Sequence, residues 1–216
     1  MPPTRWHWCV KAMQKVLANM FTYMFQPLLV PLYGFFLLAC DPHFMPYVPL
    51  LKIKFLLLAM LILVVIPVAW YLVLRKLGVI TTHQAEKKEE RFWAYLVTLT
   101  AYGVTWLLAR RMHVPSDYAA LFLAGAMALL VLTCVNFFWK MSAHALSMGA
   151  LVGGILTVSV LQGYNPVGVY TLFILLGGMV CSSRLYLQAH TPMQLVAGYF
   201  TGLLSPIFAI FLLLSV

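Results

Sequence analysis

Seven apolar runs, each long enough to cross a bilayer, decide what this chain can be. They fall at residues 17–40, 51–75, 92–109, 117–138, 145–162, 166–183 and 192–215. A helix needs about 20 residues to cross the hydrocarbon core, with about 17–25 as the working range. Backbone N–H and C=O groups find no water there, so each run is expected to be a helix. With 63% hydrophobic and 9% charged residues and a mean hydropathy of +0.94, a soluble domain is excluded. The expected fold is all-α, a polytopic transmembrane helical bundle forming a single integral membrane domain over residues 1–216. Residues 1–16 carry Arg5, Lys11 and Lys15 among Trp6 and Trp8 and read as an amphipathic segment lying at the interface. The first run starts late, is long and holds Pro27 and Pro31, so it reads as a span and not as a removable signal.

The net charge of +9 does not point to nucleic acid in such a chain. Basic residues at membrane borders serve topology, anionic head groups or a phosphate-bearing ligand. The five acids, Asp41, Glu86, Glu89, Glu90 and Asp117, avoid the interior of every apolar run. That argues against a carboxylate metal cage, a paired-carboxylate mechanism or a relay through buried acids. Cys9, Cys40, Cys134 and Cys181 are scattered without C-x-x-C spacing, which gives neither a zinc site nor a disulfide framework. Neither a metal nor a cofactor is expected.

Counting crossings then brings chemistry together. The charged connection 76–91 and the junctions 139–144 and 184–191 are each separated by two spans, so Arg91, His144 and His190 are expected on one membrane face. Gly149 and Gly153 in the fifth run, and Gly198 and Gly202 in the seventh, are each four apart, a spacing that lets two backbones approach closely. These runs begin just after His144 and His190. The same face gathers Lys87, Lys88, Arg91, Lys140 and Arg184. Arginine offers a planar fork for phosphate oxygens, lysine a point charge. Each histidine stands at a helix start, where free N–H groups favour an anion. Thr191, Pro192 and Gln194 have capping-box spacing, and Ser142 is placed to cap the helix after His144. Two imidazoles with several cations and no acid make a poor metal site and a good phosphate site, in which one histidine attacks phosphorus and the other protonates the leaving oxygen.

These residues resemble the type 2 phosphatidic acid phosphatase superfamily over roughly 84–194. Its third signature, Ser-Arg, five residues, His, three residues, Asp, is similar to Ser183-Arg184, His190 and Gln194, with glutamine in the acid's place. Its second, Pro-Ser-Gly-His, resembles Met141-Ser142-Ala143-His144. Its first, Lys, six residues, Arg-Pro, is met only by Arg91; Gln84 holds the lysine position, and Lys87 or Lys88 is the candidate substitute. The resemblance implies a six-helix core, here with about one extra span, and metal-independent hydrolysis of a lipid phosphate or pyrophosphate. By it, His190 is the nucleophile that forms a phosphohistidine, His144 the general acid, and Gln194 the group that orients His190. Arg91 and Arg184 hold phosphate, with Ser142 and Ser183 beside them; Lys140 and Lys88 are added on charge and placement.

The alternative is a binder or transporter of phospholipid phosphate that keeps the cationic pocket without turnover, because Gln194 can fix a tautomer but supplies no counter-charge. The expected partners are the bilayer and a membrane lipid substrate, in a bacterial-type inner membrane crossed several times; a structural or assembly protein is the third possibility. Which lipid, which face and which oligomeric state are left open by the sequence.

Overall fold

The structure, a computed structural model, describes residues 5–42, 44, 49–81 and 88–214. Among the described residues there are eight helices and no strand: α1 (Arg5–Met24), α2 (Val30–Cys40), α3 (Pro49–Lys76), α4 (Lys88–Arg111), α5 (Ser116–Asn136), α6 (Ala143–Leu161), α7 (Val167–Tyr186) and α8 (Pro192–Leu214). The six from α3 onward are long and apolar enough to cross a membrane. Their bounds lie within a few residues of the last six apolar runs.

The first run is different. Residues 17–40 do not form one span: α1 ends at Met24, a turn occupies residues 25–29, and the 11-residue α2 follows. The reason is proline. Pro27 cannot donate to the helix ladder, and Pro31 sits in the first turn of α2, where a missing N–H costs nothing. Nor does the N-terminal segment stop at residue 16, because α1 runs unbroken across that boundary. It docks on α7, where the Tyr186 hydroxyl donates to the Lys11 carbonyl at 3.2 Å.

The remaining prolines are absorbed inside helices. Ahead of Pro67, the ladder of α3 widens to a π turn over Leu61–Val65, which makes room for the ring. Pro206 in α8 leaves the Gly202 carbonyl without its usual donor, and the Ser205 hydroxyl donates to that carbonyl at 2.8 Å. Four helices close with the same motif, a left-handed residue just past the end and a return bond to the last turn: Gly78, His113, Gly163 and Gln188, at φ of 73°, 55°, 69° and 53°.

The core that matters for the site is the seam between α6 and α8. A Cβ added at Gly149 would sit 2.0 Å from the Tyr199 carbonyl oxygen, and one at Gly202 2.0 Å from that of Leu146. At Gly153 and Gly198 the corresponding distances are 2.3 Å to Leu203 O and 2.6 Å to Ser142 O. All four glycines of the predicted spacing therefore lie in one backbone-to-backbone contact, as anticipated from their positions.

Candidate active site

The seam fixes two helix starts against each other. Ser142 is extended (φ −84°, ψ 112°), and its hydroxyl oxygen caps α6 by accepting from Ala145 N at 3.4 Å. Its own N–H donates to the Gln194 carbonyl at 3.2 Å, stitching the junction before α6 to the first turn of α8. His144 is the second residue of α6, and His190 lies two residues before α8 begins.

Arg184 reaches the same place through the end of α7. There Ala189 N donates to the Arg184 carbonyl at 3.1 Å and Gln188 N to the Leu185 carbonyl at 2.9 Å, with Gln188 in the left-handed region. This closure folds the chain back on itself, so the five residues between Arg184 and His190 bring the guanidinium and the imidazole together. Arg91 arrives from the first turn of α4. It is buried, and its Nε donates to Asn136 Oδ1 at 2.7 Å, which fixes the direction of the guanidinium fork. Glu90 beside it is buried too and accepts from Thr81 N at 3.0 Å and Thr81 Oγ1 at 2.8 Å, tying Thr81 to the helix start.

Arg91, Lys140, His144, Arg184 and His190 all line one pole of a cavity of about 1110 Å³. His144 interacts electrostatically with both Arg184 and His190, and its ring reaches the main chain at Thr22 of α1. His190 in turn feels Arg184, Lys140 and Arg91.

The state of His190 follows from its neighbours. Gln194 Oε1 accepts from Thr191 N at 3.1 Å and lies 3.2 Å from His190 Nδ1. An N–H cannot bond an amide nitrogen, so the shared atom must be the oxygen and Nδ1 must carry the ring proton. The lone pair is then on Nε2. Burial first, then Arg184 and Lys140, push the imidazole down to about 4 against the opposing effect of the Gln194 hydrogen bond. Near neutral pH the site thus presents an uncharged, oriented imidazole beside several fixed cations. It can receive an anion at the cations and offer it a nitrogen nucleophile.

The predicted residues divide as follows. His190, His144, Arg184, Arg91 and Lys140 meet at the cavity wall, and Gln194 stands behind His190. Ser142 is fully buried as the cap of α6. Ser183 is turned into its own helix, its hydroxyl donating to the Met179 carbonyl at 2.8 Å, and it does not line the cavity. The side chain of Lys88, like Lys87, lies outside the described residues. Sequence reading missed Asn136 and Thr22. A lone asparagine at the end of an apolar run reads as a helix end, although its place just before the WKMSAH junction was a usable signal. Nothing in the sequence marks Thr22.

Comparison with protein-family models, with curated proteins and with solved structures returned no match for this chain.

Proposed function

We propose that the protein is an integral membrane phosphatase that hydrolyses a lipid phosphate or pyrophosphate through a phosphohistidine on His190. The observation that carries this reading is the Gln194–His190 pair: one amide oxygen fixes the tautomer that exposes Nε2, inside a ring of cations. Arg91 and Arg184 bind the phosphate oxygens, with Lys140 adding charge. Nε2 of His190 attacks phosphorus as the bond to the lipid oxygen breaks, and His144 relays to that oxygen the proton that the monoanionic phosphate brings. Water, activated by His144, then attacks the phosphohistidine, which releases inorganic phosphate and restores the neutral ring. The cations stabilise the charge that spreads over the equatorial oxygens. The low basicity of His190 suits this step, because it keeps the nucleophile unprotonated at neutral pH.

The test is phosphate release by the purified chain from phosphatidate, phosphatidylglycerophosphate, a polyprenyl pyrophosphate and a lipid A phosphate, with and without chelator. Release unaffected by chelator and abolished in His190→Ala is expected. Activity intact in that variant, or lost to the chelator, overturns the mechanism. Lipid-phosphate binding without turnover, lost in Arg184→Ala and kept in His190→Ala, would replace it with a binding function.

A further inference from the structure

The cavity does not end at the histidines. Val169 and Arg184, fifteen positions apart on α7, both line it, which is ~22 Å of helix rise. The hydrocarbon core of a bilayer is about 30 Å thick. Past the helix ends the wall continues to His190 and Gln188 at one pole and to Asp41 and Tyr164 at the other. The cavity therefore reaches from one end of the bundle to the other.

Most of its wall is apolar, and polar side chains form a stripe along it. On α4, Arg91, Tyr95, Thr98 and Tyr102 follow at spacings of four, three and four, which sets them on one helix face, and all four line the cavity. They descend from the cationic pole in steps, at ~6, ~10 and ~16 Å below Arg91. Asn19, Thr22 and Gln26 line it from α1 and the turn that follows. Thr22 is 2% exposed, and its hydroxyl has no hydrogen-bond partner among the described residues. The hydroxyls of Thr98, Thr105 and Thr133 each donate to the carbonyl four residues back, the ordinary solution for threonine in an apolar helix. Thr22 does not, and so it is open to a ligand or water. The far pole is polar as well: Asp41 accepts from the Tyr118 hydroxyl at 2.7 Å, and its carbonyl accepts from Lys52 at 3.1 Å. A charged group at mid-bilayer is costly in lipid, and hydroxyls with the water they hold lower that cost along a protein wall.

We propose that this cavity is a passage through which a phosphate-bearing lipid head group moves between the two membrane faces, an activity separate from hydrolysis. The kind of head group rests on the cationic pole of the proposed phosphatase site; the passage itself does not. The head group crosses along the hydroxyl wall of α4 while the tails stay in lipid.

The full chain is reconstituted in phosphatidylcholine–phosphatidylglycerol vesicles with a trace of head-group-labelled fluorescent phospholipid, and dithionite is added outside. Protein-free vesicles lose only the outer-leaflet signal. With the protein, the inner-leaflet signal is expected to decay as well, and to do so equally in His190→Ala. The double variant Thr98→Val with Tyr102→Phe, which keeps bulk and removes both hydroxyls, is expected to slow that decay at least tenfold while phosphate release is unchanged. An inner-leaflet signal that stays protected in wild-type vesicles, as a dead-end lipid pocket would give, overturns the passage, and so does an unaltered rate in the double variant. Passage without phosphate release in the wild type would overturn the phosphatase reading alone.

Discussion

Replacing Gln194 by glutamate probes the proposed nucleophile directly. The exchange is nearly isosteric, and the carboxylate still accepts from Thr191 N, so the capping box survives. What changes is a negative charge 3.2 Å from His190 Nδ1. Coulomb attraction at that distance is about 5 kcal/mol for an effective dielectric constant near 20, an upper bound in a partly exposed site. Carboxylates this close shift a partner by about 1–3 pK units in practice, and each unit is about 1.36 kcal/mol. His190, held at about 4, should therefore rise to about 5–7. The imidazolium formed on attack gains the same stabilisation, about 1.4–4 kcal/mol, which corresponds to a plateau kcat/KM higher by about 10- to 1000-fold. The sign on pH is definite. The nucleophile works only when neutral, so activity falls as pH drops through the His190 value. The acid limb should lie near pH 4 in the wild type and about 1–3 units higher in Gln194→Glu. A pH profile of phosphate release from a lipid substrate in detergent measures both. An acid limb that does not move, in a variant that elutes and melts like the wild type, would show that Gln194 does not set the state of the nucleophile.

Other outcomes follow from the same structure. Gly202→Ala places a methyl 2.0 Å from the Leu146 carbonyl, a main-chain atom that cannot yield. It should cost about 1–3 kcal/mol or more, visible as an earlier thermal-aggregation midpoint, whereas Gly103→Ala, with nothing within 4 Å, should be neutral or stabilising by up to about 1 kcal/mol. Asn136→Leu removes the acceptor that holds Arg91 Nε; a hydrogen bond to a charged group is worth about 1.5–3 kcal/mol, so KM for the lipid phosphate should rise by about 10- to 100-fold. Gln188→Gly relieves a left-handed backbone at φ 53° and should stabilise the protein by about 1 kcal/mol in the same melting assay.

Helix lengths were legible because the bilayer imposes them: six of the apolar runs became helices with nearly the predicted ends. The run at 17–40 was not, since hydropathy does not register that Pro27 and Pro31 break the ladder inside an apolar stretch. Glycine spacing did foretell the α6–α8 contact, because close approach leaves no room for a side chain. The convergence of Arg91, Lys140, His144, Arg184 and His190 also followed from counting crossings. What escaped was direction within a helix turn. Ser183 had two hydrogen-bonding choices, a ligand or its own Met179 carbonyl, and spacing alone cannot rank them. Asn136 and Thr22 come from segments distant in sequence, and only packing shows that they border the same space.

The glycine seam between α6 and α8 carries a mechanical consequence. Where carbonyl oxygens of one helix sit against α-carbons of the next, there is no layer of side chains to deform, so the pair behaves as a stiff spine. His144 and His190 stand at the head of that spine and hold their register as lipids arrive and leave. Compliance must then reside across the cavity, in α1, α2 and the proline-bearing turn at 25–29, where the described residues form no such interlock. Amide exchange should follow this division, slowest along the middle of α6 and α8 and fastest at that turn.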